Sequence, residues 1–204
     1  MFSRVSLLAS CLLIFSCTVK LPESSVSSGG QVVEKFSTTD GKRQGQYLRY
    51  SSSGALEVSC NYLDGKLDGT AIYYYPNGKS ISKVATYKDG VLSGRENMYY
   101  PDGTMKTTFI NDCGKVREVS CYYGDGTLAF HHIIPPGTQK YDSRFYYESG
   151  KLREEIRNNG GVSHFVAYYE NGTVRKEGSY TDGAMLGTWR FYDESGNLVR
   201  EIKY

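Results

Sequence analysis

The sequence carries almost no net charge, which limits the classes of partner that it could bind. Its 24 Lys and Arg residues are balanced by 22 Asp and Glu residues, giving a formal net charge of +2. The two signs are interspersed along the chain. A nucleic-acid-binding surface requires a concentration of basic residues. We therefore expect no nucleic-acid partner.

Histidine is also scarce, and its placement argues against catalysis. The chain has three histidines, His131, His132 and His164, and none stands at a metal-ligand spacing from Cys, Asp or Glu. His131 and His132 are adjacent on a predicted strand, so they point to opposite faces. No glycine-rich phosphate loop precedes a predicted helix. We predict a protein that is not an enzyme and has neither a metal nor a cofactor.

Long apolar runs are missing except at the N-terminus, which has the pattern of an export signal. Met1 to Arg4 is short and basic, and Val5 to Phe15 is mostly apolar but too short to span a bilayer. The following Ser16-Cys17 resembles the end of a bacterial lipobox. We predict a lipoprotein signal peptide over residues 1–16, with Cys17 as the lipidated residue.

Two alternatives to this anchor remain. Leu8 to Cys11 matches a lipobox better residue by residue, but it leaves little apolar sequence after Arg4. An ordinary cleaved signal with Cys17 as a bystander is also compatible with the pattern. Acyl chains on Cys17 would anchor the protein stably to a bacterial membrane. Thr18 is not the aspartate associated with inner-membrane retention, which weakly favours the outer membrane.

The remaining cysteines are too few to build a disulfide framework. After use of Cys17 only Cys60, Cys113 and Cys121 are left, an odd number that cannot all pair within one chain. Cys113 and Cys121 could approach each other across a corner. Cys60 and Cys121 take the place of apolar strand residues, so we favour a role as small buried side chains.

Tyrosine and glycine are abundant, with 19 and 23 residues, a composition that favours β-strands with many tight turns. Residues 17–30, which contain several Ser and Gly, predict a flexible tether. Residues 31–39 predict a capping strand, and residues 40–204 a repeat array. The fold class is therefore all-β.

Seven glycines mark the repeat, at spacings of 24, 25, 23, 24, 22 and 24 residues. A tyrosine stands four residues before each of them. We call the glycines the turn glycines and the tyrosines the column tyrosines. The turn glycines are Gly54, Gly78, Gly103, Gly126, Gly150, Gly172 and Gly196. The column tyrosines are Tyr50, Tyr74, Tyr99, Tyr122, Tyr146, Tyr168 and Tyr192.

Seven copies at this period predict an elongated β-meander of about seven hairpins. Asp-Gly pairs such as Asp64-Gly65 mark the first turn of a copy, and glycines such as Gly78 mark the second. The column tyrosines fall on the face opposite Ala71 and Tyr73, spaced by about two strand separations, ~10 Å. The outcome is a single-layer twisted sheet with two aromatic faces.

The sequence resembles the MORN repeat family, and in particular its bacterial variant repeats. The matching residues in one copy are Asp64, Gly65, Gly69, Tyr74, Tyr75 and Gly78, and the pattern extends over about Asp40 to Tyr204. The resemblance implies a non-enzymatic scaffold that binds proteins or lies near membranes. Members of the variant are often antitoxin-like. The repeated residues define the architecture and carry no information about the partner.

The column tyrosines form a candidate binding face. A row of rings flanked by Arg144, Arg190 and Asn97 could stack on sugars or receive an extended peptide. Three functions remain open: a protein-interaction scaffold anchored in the cell envelope, an antitoxin-like or immunity protein that neutralises a toxin, and a binder of cell-wall glycan. Charges on the last strand discourage edge-to-edge pairing, so we expect a monomer.

Overall fold

The computed structural model describes residues 23–204. The predicted signal peptide, both candidate lipidation sites Cys11 and Cys17, and the first part of the tether lie outside the described residues. Within residues 23–204 there is no helix, and so none that is long and apolar enough to cross a membrane.

The described chain forms one antiparallel sheet in which strands follow each other in sequence order, and the prediction of an all-β meander is confirmed. Two short strands, β5 and β6, run in line and both pair with β4. The seventeen strands are β1 (Glu23–Ser28), β2 (Gln31–Thr39), β3 (Lys42–Tyr50), β4 (Leu56–Leu63), β5 (Lys66–Leu67), β6 (Gly69–Tyr74), β7 (Ile81–Lys88), β8 (Val91–Tyr99), β9 (Met105–Asp112), β10 (Lys115–Tyr122), β11 (Leu128–Ile133), β12 (Tyr141–Tyr146), β13 (Leu152–Asn158), β14 (Val162–Tyr168), β15 (Val174–Thr181), β16 (Ala184–Tyr192) and β17 (Leu198–Lys203).

The strands make eight hairpins, one more than the sequence predicts. The additional hairpin joins β1 to β2, with Glu23 opposite Ser37 and Ser28 opposite Gln31. The prediction of a flexible tether is therefore wrong for residues 23–28, and β2 does not cap the sheet, because β1 covers its outer edge. The side chains of β1 are almost all exposed, so main-chain pairing holds this strand while its Ser-rich composition gives no apolar signal.

Seven hairpins coincide with the seven predicted copies, and we number them one to seven from β3–β4 to β16–β17. The turn glycine of each has a positive φ, between 65° and 93°. Its amide donates to the carbonyl three residues earlier, as from Gly103 to Tyr100 at 2.9 Å. This conformation is costly for residues with a Cβ, which explains why glycine recurs there.

Five connections between hairpins are two-residue turns in which both residues have a positive φ, the requirement of a type I′ turn. Four of them contain Asp-Gly, as at Asp64 (51°) and Gly65 (80°). The fifth contains Cys113 (48°) and Gly114 (77°), so the altered sequence keeps the backbone conformation of its neighbours.

A β-bulge recurs at each column tyrosine. In all seven hairpins the strand register shifts between this tyrosine and the residue before it, as between Tyr73 and Tyr74. One residue of the returning strand, such as Ser82, is left without a partner opposite it. A bulge bends its strand and increases the local twist, so the returning strand of every hairpin bends at the same place beside its turn.

The buried side chains form two separate clusters. The first contains Tyr47, Val58, Cys60 and Ala71, and the second contains Phe165, Ala167 and Trp189. Ala85 on β7 is also buried, and from β9 to β12 the buried positions are polar: Thr108, Asn111, Ser120 and Ser143. The apolar core is therefore concentrated in the first two and last three numbered hairpins, and the middle of the sheet relies more on hydrogen bonds, as from Thr108 Oγ1 to Asn97 Oδ1 at 3.2 Å.

Candidate functional site

The two faces of the sheet differ in what they bury. We call the face that carries Ala71, Tyr73 and Trp189 the core face, because both buried clusters lie there. Strand alternation places the column tyrosines on the other face, which we call the column face. Tyr168 illustrates this, since its hydroxyl reaches Glu155, whose cross-strand partner Val166 alternates with the buried Ala167.

Each column tyrosine lies opposite an aliphatic side chain of its own hairpin. This pairing occurs in all seven copies, immediately beyond the bulge. The seven partners, in order, are Leu56, Ile81, Met105, Leu128, Leu152, Val174 and Leu198. Aromatic and aliphatic pairs opposite each other stabilise antiparallel strands. The column tyrosines thus close the turn end of each hairpin, and all seven are half-buried.

Several hydroxyls of the column tyrosines are engaged on the column face. Tyr168 donates to Glu155 at 2.9 Å and Tyr192 donates to Glu177 at 2.8 Å. Burial, followed by the hydrogen bond to Glu155, raises the pKa of Tyr168 to about 12. The hydrogen bond to Glu177 is the main cause that raises the pKa of Tyr192. These two carboxylates hold the hydroxyls of Tyr168 and Tyr192 in place. Both rings are half-buried, so part of each remains accessible to a ligand.

The flanking residues predicted for this face are partly engaged as well. Arg190 lies between Glu177, at 3.7 Å, and Glu201, at 3.1 Å. Asn97 donates a long bond of 3.4 Å to the Tyr99 hydroxyl. Arg144 is half-buried opposite His131. These contacts stabilise the column face, and ligand binding by this face stays a prediction.

A second set of tyrosines joins successive hairpins. Each immediately follows a column tyrosine and donates its hydroxyl proton to the main-chain oxygen of the next column tyrosine along the chain. We call them the linking tyrosines. The linking tyrosines are Tyr75, Tyr123, Tyr147 and Tyr169. Their bonds run from Tyr75 to Tyr99 at 2.6 Å, from Tyr123 to Tyr146 at 2.7 Å, from Tyr147 to Tyr168 at 2.8 Å and from Tyr169 to Tyr192 at 2.9 Å. These bonds satisfy carbonyls at the bulge and fix the position of each hairpin against the next.

An open groove of about 630 Å³ lies on the core face, at the turn end of hairpins one to three. Its aromatic lining comes from Tyr73 and Tyr75 together with parts of the column tyrosines Tyr74 and Tyr99, and Met98 adds an apolar surface. Arg49, Lys83 and Lys106 supply three cations, and Glu57 supplies a carboxylate. Tyr, Met and Arg are enriched at protein interfaces. We call this the basic groove.

Close contacts order the charged side chains of the basic groove. Lys83 lies 4.2 Å from the centre of the Tyr73 ring and 3.4 Å from Glu96. Arg49 pairs with Glu57 at 3.2 Å. The Tyr73 hydroxyl lies 3.3 Å from that of Tyr87, and burial is the main cause that raises the pKa of Tyr73. The groove therefore presents positioned cations beside aromatic surface.

The histidines and cysteines are dispersed. His132 bonds Ser143 at 2.8 Å on the core face, whereas His131 lies 3.3 Å from Glu118 on the column face, so their predicted separation is confirmed. Cys60, Cys113 and Cys121 are free thiols, of which Cys60 is buried and Cys113 exposed. Among residues 23–204, no three His, Cys, Asp or Glu side chains are grouped closely enough to hold a metal ion.

The sequence did not indicate the linking tyrosines or the basic groove. Tyr75 directly follows Tyr74, and its role could not be inferred because its acceptor is a main-chain oxygen in another hairpin. The cations of the groove are far apart in sequence, at Arg49, Lys83 and Lys106. The recurrence of a second tyrosine after the column tyrosine was the one available sign.

Comparison with known proteins supports the repeat assignment in part of the chain. The family model described as MORN repeat variant matches residues 67–89, 142–157, 164–182 and 185–204. This confirms the resemblance over those four repeats. Repeats of this family are associated with protein or membrane interaction, and the family is generally non-enzymatic. No curated protein matches the chain.

Among solved structures, the chain is similar to segments of two crystal structures, those of TcdB2-TccC3-Cdc42 and TcdB2-TccC3-TEV. The identities are 13% and 11%, and the matches cover 89% and 86% of this chain. They cover 15% and 13% of the other chains, so this chain spans a small part of their length. The TM-score is 0.21 in both cases, which carries no argument about fold or function.

Proposed function

We propose that the protein is a non-enzymatic scaffold that is exported, anchored to a bacterial membrane through lipid on Cys17, and bound to a partner protein through its repeat array. The observation that carries this proposal is the basic groove, an open surface that combines Tyr73, Tyr75, Met98 and positioned cations. Such a surface offers large contact area from rings that lose little entropy on binding.

The basic groove suits a protein partner better than the column face does. On the column face, Tyr168 and Tyr192 direct their hydroxyls to neighbouring glutamates, and Arg190 is held between two carboxylates. On the core face, Arg49 has one carboxylate partner, Glu57, where Arg190 has two, and both arginines are about half exposed. Exposed cations next to aromatic rings give a partner both an apolar contact and an orientation.

Site-specific cross-linking from both faces tests the proposal. A photo-reactive amino acid would replace Ser82, which lines the basic groove, or Thr70, which is exposed on the column face. The full chain would be expressed in cells of its own host and irradiated there. We expect a discrete protein adduct from position 82 and none from position 70.

Other outcomes would contradict the proposal or redirect it. The absence of an adduct from either position, or equal adducts from both, would exclude the groove as a specific protein site. Capture of one toxin encoded beside this gene would identify the antitoxin-like alternative. A cell-wall fragment cross-linked from position 70 would favour the glycan alternative and the column tyrosines.

A further inference from the structure

Cations recur along the turn end of the core face, each lying against an aromatic ring. Lys83 lies 4.2 Å from the ring centre of Tyr73, and Lys106 lies 5.5 Å from that of Tyr100. Arg153 and Lys176 lie 5.8 Å and 4.9 Å from the rings of Phe145 and Phe165. Cation–π attraction to the rings favours these positions of the four side chains.

The positions of these cations follow from the recurring bulge. Lys106, Arg153 and Arg175 are the unpaired residues of the bulge in hairpins three, five and six. Lys83, Lys176 and Arg200 stand at the next position, in hairpins two, six and seven. We call these six side chains the cationic row. Ala129 occupies the bulge of hairpin four, so the row is interrupted once.

Carboxylates neutralise only part of the cationic row. Lys83 has Glu96 at 3.4 Å. A single carboxylate, Glu154, serves both Arg153 at 3.9 Å and Arg175 at 3.7 Å, distances too long for hydrogen bonds. Within residues 23–204, the buried Nε atoms of Arg153 and Arg175 have no hydrogen-bond partner. The row therefore has an excess of positive charge that an anionic partner would complement.

The spacing of the row selects a particular backbone conformation for that partner. Successive hairpins are two strands apart, which corresponds to about 9.5 Å. A polyproline II helix advances ~3.1 Å per residue with three residues per turn, so its side chains return to the same side every ~9.3 Å. In a β-strand, by contrast, side chains three residues apart point to opposite sides. One turn of polyproline II thus matches one hairpin.

We propose that the cationic row binds an acidic segment of a partner protein in the polyproline II conformation, with a carboxylate at every third residue and one turn for each hairpin. This inference rests on the proposed scaffold function, because Lys83 and Lys106 also line the basic groove. The carboxylates approach the cations of the row, and the residues between them lie over the aromatic rings.

Fluorescence anisotropy with two designed peptides tests the spacing. One labelled peptide contains six Glu-Pro-Pro triplets, and the other has the same composition with all glutamates together at one end. Both peptides have the same charge and favour the same backbone conformation. We expect the purified full-length chain to bind the spaced peptide about tenfold more tightly, and added salt to weaken that binding. Equal affinities for the two peptides would overturn the proposal.

Variants locate the site. Arg153→Gln with Arg175→Gln removes two cations from the row, and we expect about a tenfold loss of affinity for the spaced peptide. Arg144→Gln removes one cation from the column face of hairpin five, the hairpin that also carries Arg153, and should have little effect. Circular dichroism would establish that each variant remains folded. Unchanged binding in the double variant, or an equal loss in R144Q, would contradict the proposed location.

Competition separates this inference from the function on which it rests. If the partner captured from position 82 is displaced by the spaced peptide, both proposals stand. If that partner is captured but the spaced peptide does not displace it, the scaffold function stands and the acidic-segment inference fails. A third outcome is that vesicles of phosphatidylcholine and phosphatidylglycerol bind through Arg153 and Arg175 while the spaced peptide does not bind. The row would then recognise a lipid surface, and the acidic-segment inference would fail.

Discussion

The hydroxyl of Tyr75 donates a hydrogen bond of 2.6 Å to the main-chain oxygen of Tyr99, so a side chain of one hairpin supports the bulge of the next. Removal of that donor leaves a half-buried carbonyl without its partner. We expect Tyr75→Phe to reduce the free energy of unfolding by about 1 kcal/mol. For a chain of this size the midpoint of thermal unfolding would fall by roughly 3 °C.

Tyr100 provides the matched control for that substitution. It follows a column tyrosine as Tyr75 does, but its hydroxyl makes no such bond to a carbonyl within residues 23–204. Tyr100→Phe should therefore leave the midpoint almost unchanged. Equal effects of the two substitutions in a thermal melt would show that the linking bond contributes nothing.

Gly178 makes room for the fully buried Trp189. A Cβ at residue 178 would lie 2.2 Å from the indole ring, whose Nε1 donates to the oxygen of Ser179 at 3.1 Å. We expect Gly178→Ala to cost about 3 kcal/mol, measured by denaturant unfolding, because either the ring or β15 must move. Gly124→Ala is the control, since nothing lies within 4 Å of a Cβ there. Similar losses in both variants would argue against the steric cause.

The turn of hairpin three requires the positive φ of Gly103, which is 91°. Nothing lies within 4 Å of a Cβ at this residue, so any cost of substitution comes from the backbone. We expect Gly103→Val to destabilise the protein by about 2 kcal/mol and Gly103→Asn to cost clearly less, because asparagine tolerates this region. Equal denaturation midpoints for the two variants would contradict the proposed strain.

His132 makes stability depend on pH. Burial, and secondarily the charge of His131, lowers the pKa of His132 in the folded protein below its ordinary value. Between the two pKa values the unfolded chain binds the proton and the folded chain does not, so stability rises with pH. The contribution is complete above about pH 6.5, the unfolded value, and is lost as the pH falls towards the folded value. Denaturant titrations of the wild type and of His132→Gln from pH 7 to pH 5 would check this, with a shallower slope expected in the variant.

The predicted anchor can be tested by fractionation. Because acyl chains on Cys17 would hold the chain to a membrane, we expect Cys17→Ala to move it to the soluble fraction. Cys11→Ala should leave it membrane-bound. The reverse distribution, seen by immunoblotting of the two fractions, would place the lipidation site upstream.

Much of the architecture could be predicted from local signals. Turn chemistry at Gly54 to Gly196, with a tyrosine four residues before each turn glycine, predicted seven hairpins because these residues act within one hairpin. The β1–β2 hairpin could not be predicted, because Glu23–Ser28 buries almost nothing and depends on main-chain pairing. The basic groove depends on three hairpins lying side by side, so the positions of Arg49 and Lys106 gave no indication of their proximity.

The column tyrosines show the limit of a strong repeat signal. Their recurrence suggested a binding face, yet each is also the cross-strand partner of an aliphatic residue at a bulge, as Tyr146 is of Leu152. A structural role alone accounts for the recurrence. The residues that distinguish one hairpin from another, such as Arg153 and Ala129 at equivalent bulges, are better guides to what the protein recognises.

The linking bonds all run in one direction, from a hydroxyl in the earlier hairpin to a carbonyl in the later one. As the chain emerges from a ribosome or a membrane pore, hairpins three, five, six and seven each meet a completed neighbour whose donor is already in place. No step has to wait for a distant part of the sequence, which favours rapid folding with little exposed strand edge. The array is therefore suited to fold vectorially, one hairpin after another, as the chain is synthesised or exported.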